Sequence, residues 1–173
     1  MQVHQVYTGL ISGGFIDLLE DYCKEHTIQI PNLLHNILGR DNCEFYLWRS
    51  ALQHIFQLQP THHFGLELVK SLKIRHLGVI GYMMANCANF AEALQKYNEF
   101  HQLIYDQQPF SAQVSQHKFH IHWKHLAKYP CDPVLDEFVV ALIVFFFREC
   151  LSNQLPILEI QFRHQPHSQY LTQ

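Results

Sequence analysis

No cluster of lysine or arginine occurs in this chain. Its 12 basic residues face 15 acidic ones over 173 positions, for a formal net charge of −3. Holding a nucleic-acid backbone needs a basic face, so the chain by itself is not built to grip DNA or RNA. Cysteine is sparse and unpatterned. Cys23, Cys43, Cys87, Cys131 and Cys150 are odd in number and contain no C-x-x-C. That excludes a disulfide scaffold and a zinc knuckle, and it fits reduced thiols in a cytoplasmic setting, most of them buried as small hydrophobes. The N-terminal "MQVHQVYTGLISGG" lacks the basic stretch and apolar core of a secretory signal. No apolar run is long enough for a bilayer. The most apolar, "FVVALIVFFF" at residues 138–147, is flanked by Asp136, Glu137, Arg148 and Glu149 and falls well short of the roughly 20 residues a span requires. It reads as a buried helix, and no membrane partner is expected.

Reaction motifs are missing as well. There is no G-x-S-x-G, no H-E-x-x-H and no glycine-rich phosphate loop with its lysine. Cys131 follows His125 by six positions, but nearness in sequence does not make a nucleophile and its base. Asp136 and Glu137 fall in the first turn of an expected helix, where the helix dipole favours negative charge without any catalytic role. The chain is therefore read as no enzyme, with no cofactor.

What is present folds. Hydrophobic residues make up 48% and charged residues 16%, enough for a single domain with its own core. Phe15, Leu18, Leu19 and Tyr22 share one face of a helix ending near His26, and Pro31 opens a short helix that Gly39 stops. Asn42 is the expected N-cap of a helix striped by Phe45, Trp48, Leu52, Ile55 and Phe56 and closed by Pro60. "HFGLELVKSL" supplies another helix. Asn89, with Glu92 three positions on, predicts a capped helix whose apolar face carries Phe90, Leu94, Tyr97, His101 and Ile104.

Beyond Pro109 the period becomes two. In "QHKFHIHWKH", Phe119, Ile121 and Trp123 alternate with polar residues, so the segment is a half-buried strand with "SAQVS" as its hairpin partner. Asp132 and Pro133 open a long helix over residues 134 to about 151, and "LEIQFR" alternates again as a strand. The expected fold class is α+β: a helical N-terminal half and a small, mostly antiparallel sheet of about three strands packed on the long apolar helix.

Three features remain as candidate sites. Gly78-Val79-Ile80-Gly81 has the G-x-x-G of single-strand-clamping RNA-binding loops, but its middle residues are apolar and without a cation, so a tight bend or close packing is the stronger reading. Among 14 histidines, His120 and His122 lie on one side of the predicted strand roughly 7 Å apart, a spacing that can chelate a metal if further ligands join. With 13% aromatics an apolar pocket is readily built. Tyr82, Met83, Phe100, Trp123 and Phe146 are its expected lining.

The segment "FGLELVKSLKIRHLGVIGYMMANCANFAEALQKYNEFHQLI" resembles the N-terminal effector domain, of the arabinose-binding type, in AraC/XylS-family transcription regulators, in the branch of ornithine-utilisation regulators. The matching residues are Gly65-Leu66, Gly78, Gly81-Tyr82, Asn89, Glu92-Ala93-Leu94 and Tyr97. "FIDLLEDYCKEHTIQIPNLLHNIL", Asp136-Glu137 and "LEIQFRHQPHSQY" extend the likeness over nearly the whole chain. The resemblance implies a ligand-sensing domain spanning residues 1–173 that forms a homodimer and binds a small-molecule effector. It further implies control of DNA binding through a C-terminal domain with two helix-turn-helix motifs, which this chain does not contain. Because such effector domains usually run further, the chain is expected to be truncated at its C-terminal end. The competing reading is a metal-binding protein or metalloenzyme built on His120 and His122.

Overall fold

Two short strands frame the N-terminal helices. In the computed structural model, which describes residues 9–106, 110–115, 118–123, 132–151 and 159–161, β1 (Leu10–Ser12) pairs antiparallel with β2 (Asn42–Glu44), Ile11 opposite Cys43. Each strand runs straight into a helix, β1 into α1 (Gly13–Glu25) and β2 into α3 (Phe45–Leu58). Ser12 caps α1 by accepting from the Gly14 amide. Asn42 does not cap α3 as the sequence predicts. It lies in β2 opposite Ser12, and Glu44 takes the cap position without a side-chain bond. The ladder holds Asn42 extended, and the first helical amide, Phe45 N, is satisfied instead by Gly9 O at 2.8 Å.

The predicted apolar stripes are the core. Phe15, Leu18, Leu19 and Tyr22 of α1 and Phe45, Trp48, Leu52 and Ile55 of α3 are buried, with Phe56 half-buried. Trp48 donates its indole N–H to Phe15 O at 2.9 Å, and that bond satisfies the one polar atom of the largest buried side chain. Phe15, Trp48 and Phe138 form a triangle of rings with centroids 5.5–6.1 Å apart. Phe138 comes from α7 (Pro133–Leu151), so the triangle joins α1, α3 and α7.

Asp132 opens α7 as expected, accepting from the Leu135 amide, and it also accepts from Arg49 Nε at 2.6 Å and Gln53 Nε2 at 2.7 Å. A short helix α2 (Asn32–His35) sits between α1 and β2, and α4 (Phe64–Lys70) lies against α7. Gly65 permits that approach, because a Cβ there would collide with the backbone at Glu137 and Phe138.

A 3₁₀ turn (Ile74–Leu77) leads into α5 (Gly78–Ala85) and then α6 (Phe90–Phe100). Ile80, Met84 and Ala93 form a second, smaller core with Tyr97 and Phe146 against it. Asn89 caps α6 through Glu92 N at 3.0 Å, while the Glu92 carboxylate reaches back to accept from Ala88 N, the residue before the cap. The helix ends at Phe100, so His101 and Ile104 fall past it, His101 in a 3₁₀ turn (His101–Leu103).

The predicted hairpin forms from β3 (Phe110–Ser115) and β4 (Lys118–Trp123), in antiparallel register from Phe110↔Trp123 to Ser115↔Lys118. The fold is α+β, with its described strands in two separate two-stranded antiparallel sheets. Of the predicted strand "LEIQFR", residues 159–161 have no regular structure and the rest lies outside the described residues. No helix among the described residues is long and apolar enough to cross a membrane.

Candidate functional site

The end of α1 and the connection from α3 to α4 face each other across an open cleft of about 270 Å³. One wall is aromatic. Tyr22 and His26, one turn apart at the end of α1, lie against each other with ring centroids 4.2 Å apart and planes tilted by 32°, and Tyr22 meets Phe64 edge-on at 5.4 Å. Burial, with the nearby charges of Glu67 and Cys23, pushes the Tyr22 phenol above its ordinary value, so its hydroxyl keeps its proton. The opposite wall is polar: Gln59, Thr61, His62, His63 and Glu67. Two side-chain atoms of this wall, Gln59 Oε1 and Thr61 Oγ1, are buried with no hydrogen-bond partner among the described residues. An unsatisfied buried polar atom costs stability, so two of them at one cleft need a reason.

Of the residues proposed as a pocket lining from the sequence, Tyr82, Met83, Phe100 and Phe146 are not among the described residues around this cleft. Tyr82 and Phe100 are 56% and 36% exposed, Met83 is half-buried on α5, and Phe146 is half-buried against both cores. Of Trp123 the structure describes the backbone in β4 alone. Sequence reading missed the cleft because its parts are far apart in the chain. Pro60 signalled only the end of α3, and Gln59 and Thr61 beside it look like any polar loop residues.

His120 and His122 do share a face of β4, opposite Gln113 and Ser111, with parallel rings 6.2 Å apart. Among the described residues, no group of three His, Cys, Asp or Glu side chains converges on a common point. Among the described residues the pair thus supplies two ligands where a protein zinc site uses three or four.

Residues 45–172 match the model of the arabinose-binding N-terminal domain of AraC transcription regulators. The chain belongs to this family. No match was found among curated proteins or among solved structures. The AraC-type match begins at the first residue of α3 and takes in the polar wall of the cleft, whereas Tyr22 and His26 come from the preceding helix. The family is a regulatory, ligand-binding one rather than an enzyme family.

In this AraC-type domain the Gly-x-x-Gly-Tyr segment is a backbone device. Gly78 stands at φ 59°, ψ −149°, a combination open essentially to glycine. A Cβ on Gly81 would lie 2.6 Å from Ile74 O. Val79 is exposed and Ile80 buried, so the pair of glycines folds α5 back on the 3₁₀ turn and presents no anion cradle. Beneath the turn, Asp21 collects Arg75, Lys73 Nζ at 3.4 Å and the buried His76 Nε2 at 3.1 Å. His76 Nδ1 accepts from Lys73 N at 3.1 Å, which assigns the ring proton to Nε2, facing the carboxylate.

Proposed function

We propose that the chain is the ligand-sensing and dimerising part of an AraC-type regulator in the ornithine-utilisation branch. A small effector would control how a C-terminal helix-turn-helix domain of the regulator binds DNA. The family match over residues 45–172 supports the ligand-sensing, regulatory part of this reading. Residues 1–173 act as one sensing unit, since α1 and α3 share a core with α7. The geometry offers a route for the signal. A molecule in the cleft touches α4 at Glu67, and α4 rests on α7 through Gly65 with no side chain between the backbones. A shift of α4 therefore shifts α7, and an effector acts by favouring one arrangement of the two over another.

The test is a thermal-shift screen of amino acids, fatty acids and aromatic acids, followed by DNA-binding and sedimentation measurements on the full regulator with any hit. An effector at about a hundred times its Kd stabilises by about 2.7 kcal/mol, a readily measured rise in Tm. A hit that alters DNA affinity, with a dimer in sedimentation, is the expected result. A screen without hits, or a hit with no effect on DNA binding, counts against the reading.

A further inference from the structure

The outer face of α5 is apolar where a surface helix is ordinarily polar. Ile80, Gly81 and Met84 turn inward, to the second core and the 3₁₀ turn. Val79 and Tyr82 stand outside at 57% and 56% exposure, with Met83 half-buried beside them and Asn86 exposed one turn on. These four positions recur at the spacing of a single helix face. Neighbouring α6 shows the usual arrangement, with Glu92, Gln95 and Glu99 exposed on its outside. The position of α5 is not loose. It is seated on the 3₁₀ turn at Gly81, where a Cβ would lie 2.6 Å from Ile74 O. The fold therefore holds this face in the open and gains little from its being apolar, which marks it as a contact surface.

Charge points to the occupant. No charged residue and no histidine occurs from Gly78 to Ala91. A helix-turn-helix domain is basic where it meets DNA, and a seat for it would offer carboxylates, which this face lacks. A second copy of the chain makes the opposite demand. In a two-fold contact each patch meets itself, so a charge near the axis would face its like. A neutral stretch carrying Tyr and Met, both enriched in interface cores, meets that demand. Asn86 donates its side-chain amide to Tyr82 O at 2.7 Å, so part of its hydrogen bonding is already met within the chain when water is excluded. From this we infer that α5 is a self-association face, on which a second copy packs its own α5 antiparallel across a two-fold axis. Tyr82, at the middle of the helix, then lies beside its counterpart, and the two helix dipoles oppose each other favourably. The inference rests on the reading of the chain as a dimerising domain and adds the surface. Size limits its strength. With 8 residues α5 is about 12 Å long. A pair of such helices falls short of the roughly 800 Å² per partner of a standard interface, so the Kd is expected on the order of 0.1 mM.

The test is sedimentation equilibrium of the 173-residue chain across about two decades of concentration around that Kd, where a reversible monomer–dimer equilibrium is expected. Tyr82→Lys and Tyr82→Glu each set like charges against one another and should weaken the dimer about tenfold or more. Both should leave the Tm of the dilute protein unchanged, because Tyr82 belongs to neither core. Mixing the two variants in equal amounts should restore the dimer, since Lys then meets Glu across the axis, and a lesion that merely unfolds α5 would not be rescued in this way. Two folded variants that are each monomeric and stay so when mixed overturn the inference, because the face then does not meet itself. A dimer that survives both substitutions also overturns it and leaves the dimerising reading standing. If those substitutions instead change DNA binding by the full regulator, the face belongs to its helix-turn-helix domain. If the chain stays monomeric over the whole range the inference falls, and the dimerising reading falls with it when the full regulator is also a monomer.

Discussion

His76 is buried, and its partner is a carboxylate shared with two cations. Burial lowers its affinity for a proton most, Asp21 opposes that, and the nearby Arg75 and Lys73 lower it further, so the net shift is below the ordinary 6.5. The folded state thus holds a neutral imidazole where the unfolded chain binds a proton. The stability this contributes is fully present above about 6.5 and is lost as pH falls through that value toward the folded pKa. Protonation would also place an N–H on Nδ1 against the Lys73 amide that now donates to it. Asp21 works in a lower window. Burial alone would raise its pKa, but the hydrogen bonds and charges of Arg75 and Lys73 hold it below 3.8, so its contribution is lost only as pH falls through that depressed value. Thermal unfolding followed from pH 8 to pH 5 should show Tm falling below about 6.5, and His76→Gln should flatten that slope. An unchanged slope in the variant would assign the effect to other groups. The sequence offered no sign of this cluster, because Asp21 and His76 are 55 residues apart and each looks like an ordinary surface residue.

At the scale of elements, the caps show what local sequence can decide. Asn89 and Asp132 were legible as caps because a cap is a bond between near neighbours, and both form. Asn42 has the same chemistry and failed, because pairing with Ser12 in β1 imposed an extended backbone that no local signal announced. Asp132 also shows how a local motif gains a distant role. Its carboxylate, 3% exposed, ties the start of α7 to Arg49 and Gln53 of α3. Asp132→Ala removes the cap and that tie together and should cost about 3 kcal/mol, read as a lower urea midpoint. Asp132→Asn keeps a capping oxygen and should cost less. A loss under about 1 kcal/mol for the alanine variant, the usual worth of a cap alone, would show that the bonds to α3 add nothing.

For the molecule as a whole, the core built by α1, α3, α4 and α7 closes over Cys23 and Cys43. Burial, aided by nearby acidic groups, pushes both thiols up to about 11. Alkylation by iodoacetamide at pH 8, mapped by peptide mass spectrometry, should modify neither until denaturant opens the core, with Cys87, half-buried on the second core, labelled sooner. Labelling of Cys23 in the native protein at the rate of Cys87 would mean that the main core opens locally.

Composition and periodicity by themselves determined the α+β class, the apolar faces of α1 and α3, the hairpin of β3 and β4 and the start of α7. Each of these is fixed by residues within a few turns of one another, and the family pattern was legible for the same reason. The tertiary structure alone decided the pairing of β1 with β2, the close approach of α4 to α7 at Gly65, the Asp21–His76 cluster and the cleft. Those depend on which segments meet after the chain has crossed tens of residues. Gln59 and Thr61 become conspicuous only when packing has buried their oxygens and left them without a partner.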